Sequence, residues 1–146
     1  MRYYIERCYP ICLAFLLSIT FYIRYSCIKN VDKIINDLIS SSVTIFPVLL
    51  GFLLTILTII NSIDTRRMRF VKESGSYSSL INYLRISLLL DIFSITTCFI
   101  FPFLQFTEII IYKQQVYSAL IFLFVYTWVS NIRFSSIFIK LLIDPK

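Results

Sequence analysis

Apolar and polar positions divide the chain into four long apolar runs joined by short polar stretches. The clearest run is Val43 to Ile63, 21 residues without a charge. As a helix rising ~1.5 Å per residue it covers ~31 Å, close to the ~30 Å hydrocarbon thickness of a bilayer. Length alone therefore predicts a transmembrane helix. The same reasoning places spans at about 8–23, 86–106 and 116–132. An Arg precedes the first run, as in a secretory signal, but no small-x-small cleavage site follows it. It reads as a retained span, with Tyr3, Tyr4, Tyr9, Tyr22 and Tyr25 as interfacial anchors.

The polar stretches carry their own periodicity. Val31, Ile34, Ile35, Leu38 and Ile39 share one helical face, and Asp32, Lys33, Asn36 and Asp37 the other. This amphipathic segment either lies on the membrane or runs into the second span through Ser40, Ser41 and Ser42. After the second span come Arg66, Arg67, Arg69 and Lys72, then Gly75 between two serines, then Tyr77, Leu80, Ile81 and Leu84 at helical spacing. Residues 64–85 are predicted to form a basic helical hairpin projecting from the membrane. Apolar spacing also continues past the fourth span, through Phe134, Ile137, Phe138, Leu141 and Leu142. The expected fold class is an all-α integral membrane protein, with four transmembrane helices in one domain over 1–146 and amphipathic extensions.

Two spans carry polar seams. In the second, Thr44, Val48, Gly51, Thr55, Thr58 and Ser62 follow at steps of four and three, which puts them on one helix face. In the third, Ser87, Asp91, Ser94, Cys98 and Gln105 share a face at steps of four, three, four and seven. Such a seam is either a packing face, where small residues let backbones approach, or the lining of a water or ion path. Asp91 is the one carboxylate well inside a span, where a charge costs on the order of 3 kcal/mol at the bilayer centre. It is either a proton or cation site or a structural carboxylate paired with a neighbouring Thr, Asn or Arg.

Composition agrees with the pattern. The chain is 58% hydrophobic and 15% charged, against about 25% charged in soluble domains, and its mean hydropathy is +0.82. A net charge of +6 would raise nucleic acid as a partner for a soluble protein, but here the cations flank apolar runs and no direct nucleic-acid contact is expected. Ten Lys and Arg fall on the side of the termini and middle loop: Arg2, Arg7, Arg66, Arg67, Arg69, Lys72, Arg85, Arg133, Lys140 and Lys146. Four fall opposite: Arg24, Lys29, Lys33 and Lys113. The positive-inside rule then puts both termini in the cytoplasm. The cluster Arg66, Arg67, Arg69 and Lys72 is a topology signal that can also dock a cytoplasmic protein or anionic lipid.

Chemistry is sparse. The chain has no His and four cysteines, Cys8, Cys12, Cys27 and Cys98, without metal-site spacing. No nucleophile–base pair stands out, and an intramembrane aspartyl protease needs a second carboxylate in a span. The expectation is no enzyme, no metal and no cofactor.

The four-span architecture, the Gly51-Phe-Leu-Leu-Thr55 segment, the basic stretch after it and Ser74–Leu84 (SGSYSSLINYL) together resemble bacterial anti-phage defence membrane proteins. They most resemble the KwaA family, the membrane subunit of the Kiwa system. The resemblance covers the whole chain as architecture and residues 43–84 as a loose pattern. It implies a homo-oligomer, a tetramer, in the bacterial inner membrane. That assembly would sense envelope disturbance by an infecting phage and signal to a soluble KwaB-like effector in the cytoplasm. It carries over no catalytic residues. The reading that follows is an oligomeric sensor or scaffold subunit; the alternative is a channel-forming effector that depolarises the membrane.

Overall fold

A computed structural model describes residues 2–62, 76–106 and 112–143, with side chains over 8–62, 77–103 and 112–140. Four long helices account for nearly all of it: α1 (Arg2–Arg24), α2 (Val31–Ser62), α3 (Ser76–Phe106) and α4 (Lys113–Ile143). All four are long and apolar enough to cross a membrane. The chain is an all-α multi-pass membrane protein. Every turn of such a helix satisfies its own backbone groups, which is what lipid demands.

The helices outrun the spans read from hydropathy. α2 has 32 residues, and α3 and α4 have 31 each. At ~1.5 Å per residue these are ~46–48 Å long, so their ends stand outside a ~30 Å hydrocarbon layer. The amphipathic segment 31–39 is the first part of α2, with Ile35 and Ile39 turned into the core. It continues into the span because no Pro or Gly interrupts Ser40–Ser42. Residues 76–85, expected as the return arm of a hairpin, are the opening turns of α3 and run unbroken into the third span. Leu80 and Leu84 are buried there against Phe134 and Phe138 of α4, so this segment belongs to the bundle. Residues 63–75, and with them Arg66, Arg67, Arg69 and Lys72, lie outside the described residues. The helices also run unbroken through Pro10, Pro47 and Pro102.

A single 3-10 turn, Tyr25–Cys27, and Asn30 join α1 to α2. Asn30 has φ 57°, a left-handed conformation that Asn tolerates better than most residues. Its carbonyl then accepts the Ile34 N–H at 3.2 Å, the opening bond of α2.

α4 packs against both α1 and α3, and α3 packs against α2. Two apolar clusters stack along α2, α3 and α4. One joins Ile35, Ile39 and Phe46 to Cys98, Phe101, Tyr117 and Phe124; the other joins Leu53, Ile56 and Ile60 to Leu80, Leu84, Phe134 and Phe138. α1 flanks this core, with partly buried Phe21 packed against the first cluster. It buries only a narrow strip of its described residues, Pro10, Ala14 and Ser18, at steps of four. Small residues allow close approach, and Ser18 Oγ reaches the Ser118 carbonyl of α4 at 2.9 Å.

Candidate functional site

Between the two apolar clusters lies a buried polar layer that closes the α3–α4 interface. The 4-3-4 spacing of Ser87, Asp91, Ser94 and Cys98 turns all four side chains toward α4, and all four are buried. α4 runs antiparallel and answers with Thr127, Ser130 and Asn131. Ser87 Oγ and Ser130 Oγ are 3.0 Å apart. Ser94 Oγ and Thr127 Oγ1 are 2.8 Å apart. Thr127 donates its one hydroxyl hydrogen to the Leu123 carbonyl at 2.9 Å, so Ser94 is the donor in that pair.

Asp91 occupies the middle rung. It is fully buried, and Asn131 Nδ2 donates to its Oδ1 at 2.8 Å. Among the described residues, Asp91 Oδ2 and Asn131 Oδ1 are buried without a hydrogen-bond partner. Two acceptor oxygens left in a water-poor interior are costly, about 1–3 kcal/mol each. A proton on Asp91 gives Oδ2 a hydrogen to offer. The arrangement can thus hold a proton, and it can equally hold two helices in register.

Two small cavities flank this layer. One of about 220 Å³ lies on the α1 side, with Ser87 and Ser130 on its wall. The other, of about 230 Å³, lies between α2 and α4 and reaches Asn131, Ser135 and Ser136.

The second-span seam stands elsewhere. Thr44, Val48, Gly51, Thr55, Thr58 and Ser62 are all exposed on α2, so among the described residues this face meets no other helix. A Cβ built on Gly51 would meet nothing within 4 Å. Thr55, Thr58 and Ser62 donate to their own backbone, to the carbonyls of Gly51, Leu54 and Ile59 at 2.9, 3.0 and 3.2 Å. The two seams, similar in spacing, have opposite roles inside one chain: Ser87, Asp91 and Ser94 are interior, and the α2 seam is exterior.

The sequence reading did not find the third polar cluster. Lys113, at the start of α4, lies 2.6 Å and 2.7 Å from the two carboxylate oxygens of Asp32, at the start of α2. Tyr117 donates to Asp32 Oδ1 at 2.7 Å, and Gln114 Nε2 donates to the Tyr22 carbonyl of α1 at 2.8 Å. These contacts tie three helices together at one end of the bundle. Asp32 and Lys113 are partly exposed, so the ion pair itself contributes little, up to ~1 kcal/mol. The signal available in sequence was a charge at the mouth of each of two helices that end up as neighbours.

No family model, no curated protein and no solved structure matches this chain.

Proposed function

We propose that the chain is an oligomerising inner-membrane subunit, a sensor or scaffold of an anti-phage defence system that responds to envelope perturbation and engages a cytoplasmic effector. The observation that carries the oligomer is the α2 seam: a full-length face of small and hydroxyl residues, exposed, with open space at Gly51. Its seryl and threonyl hydrogens at 55, 58 and 62 are already given to the α2 backbone, so the face suits close helix contact. The defence role rests on the resemblance of the four-span architecture and the 43–84 segment to the Kiwa membrane subunit.

A channel-forming effector is the second reading. The buried layer around Asp91, with a cavity on either side, favours it. Purified protein in planar bilayers separates the two: steady conductance supports the channel, and silence supports the scaffold.

Orientation follows the ten-to-four distribution of cations, with termini and middle loop cytoplasmic. Cys27 is exposed at the α1–α2 junction and is expected to react with a membrane-impermeant maleimide added outside. With Cys8 and Cys12 replaced by Ser, that label reports Cys27, because Cys98 is buried. A reporter fused after Lys146 should behave as cytoplasmic. A C-terminal fusion that behaves as external would overturn this topology.

The basic cluster is the proposed effector contact. Changing Arg66, Arg67 and Arg69 together to Gln leaves other cations on the same side, so insertion should survive. Charge-assisted bonds are worth roughly 1.5–3 kcal/mol each before screening. Even two of them, heavily discounted for exposure, correspond to about a tenfold loss of affinity. The triple variant is expected to insert and assemble but to lose its soluble partner in a pull-down, as wild type would at high salt. Unchanged retention would reduce the cluster to a topology signal.

A further inference from the structure

Arg133 stands where two clefts adjoin. The smaller, about 220 Å³, carries Tyr83 and Ser130. The larger, about 490 Å³, lies between Tyr9 of α1 and the outer face of α4, with Val129, Ile132, Ile137 and Lys140 along it. The Arg133 guanidinium is held in place by Tyr83: its Cζ lies 4.5 Å from the ring centroid and Nη2 donates to the Tyr83 hydroxyl at 3.1 Å. That bond takes one of five N–H donors. Among the described residues no carboxylate forms an ion pair with Arg133 or Lys140.

Depth in the membrane follows from the apolar runs. The run 116–132 ends directly before Arg133, and the run 86–106 begins three residues after its partner Tyr83. Both put Arg133 at the membrane–water interface opposite Lys113. Lys140, seven residues further on, is on the same face, two turns outward. Val129 and Ile132 lie on the hydrocarbon side of Arg133. The cleft thus has cations and a tyrosine at headgroup level and an apolar wall running inward from them.

We propose that this cleft is a binding site for one anionic phospholipid. The headgroup phosphate is held by Arg133 and Lys140, and an acyl chain lies against Val129 and Ile132. The ligand chemistry is a phosphate ester joined to a hydrocarbon chain. A free phosphate would occupy the cationic end and leave the apolar wall uncovered.

The test uses the full chain in a neutral detergent with equimolar phosphatidylglycerol and phosphatidylcholine, read by native mass spectrometry. Phosphatidylglycerol should be retained selectively. Arg133→Gln and Lys140→Gln should each lower its retention about fivefold, the usual worth of one basic residue at a membrane surface. Lys140 is exposed, so its variant keeps the test independent of folding. Arg24→Gln, an exposed cation at the other end of the bundle, should leave retention unchanged. Inorganic phosphate at millimolar concentration should not displace the lipid. Equal retention of the two lipids, an unaffected Lys140→Gln variant, an equal loss in Arg24→Gln, or displacement by inorganic phosphate would each overturn the proposal.

Discussion

Replacing Asn131 with Leu is expected to destabilise the bundle more than replacing Asn131 and Asp91 together. The single change removes the Nδ2 donor at 2.8 Å and leaves Asp91, fully buried, with no partner on either oxygen. An orphaned buried acceptor costs about 1–3 kcal/mol, more if charged. The double change to Leu removes the need for a partner along with the partner. Its cost is then the net worth of one interhelical hydrogen bond in a membrane protein, about 0.6 kcal/mol and at most ~1.7, offset in part by the added apolar contact. Unfolding of each variant by SDS titration in mixed micelles gives the comparison. A single variant no less stable than the double would mean that Asp91 and Asn131 are not coupled. Ser94→Ala is a milder companion, because Thr127 keeps its bond to Leu123 and only one hydroxyl pair is lost.

Gly51→Leu should abolish assembly without harming the fold of the individual chain. Among the described residues a Cβ at this exposed position meets nothing within 4 Å, so a larger side chain has room to start. Leu is also a better helix former than Gly by up to ~1 kcal/mol, which favours α2 if anything. In an oligomer packed on the α2 seam, the same side chain forces two backbones apart and removes the contact that small residues permit. Cross-linking in membranes should therefore show smaller species at normal expression level, and SDS-titration stability of the monomer should be unchanged. If oligomers form as before, the seam faces lipid and the subunit contact lies on another surface. α1 is the next place to look, since Phe15, Leu16 and Ile23 are all more than half exposed.

The sequence by itself determined the class and the elements. Runs of apolar residues as long as a bilayer is thick leave no other structure, because only a helix satisfies its backbone alone in lipid. It also determined the shared faces: Ser87, Asp91, Ser94 and Cys98 do turn together, and 3.6-residue periodicity suffices to say so. The amphipathic helix at 31–39 and the extension of α4 to Ile143 were legible in the same way, but that 31–39 runs on into the second span was not. What periodicity could not decide is which seam faces inward. In water, polarity sorts the two sides of a helix; in a bilayer, lipid and bundle interior are equally apolar, and that guide is lost. The tertiary structure made the choice on hydrogen-bonding demand. Thr55 and Thr58 close their bonds on their own helix and can stand on the outside. Asp91 has no such local solution and turns to Asn131, 40 residues away. Helix neighbours decide such partners, as they do for Asp32 and Lys113, 81 residues apart. Which helices are neighbours is fixed by packing, through the close approach of α1 at Ala14 and Ser18 and the aromatic contacts of Phe46 and Phe124, and not by local pattern.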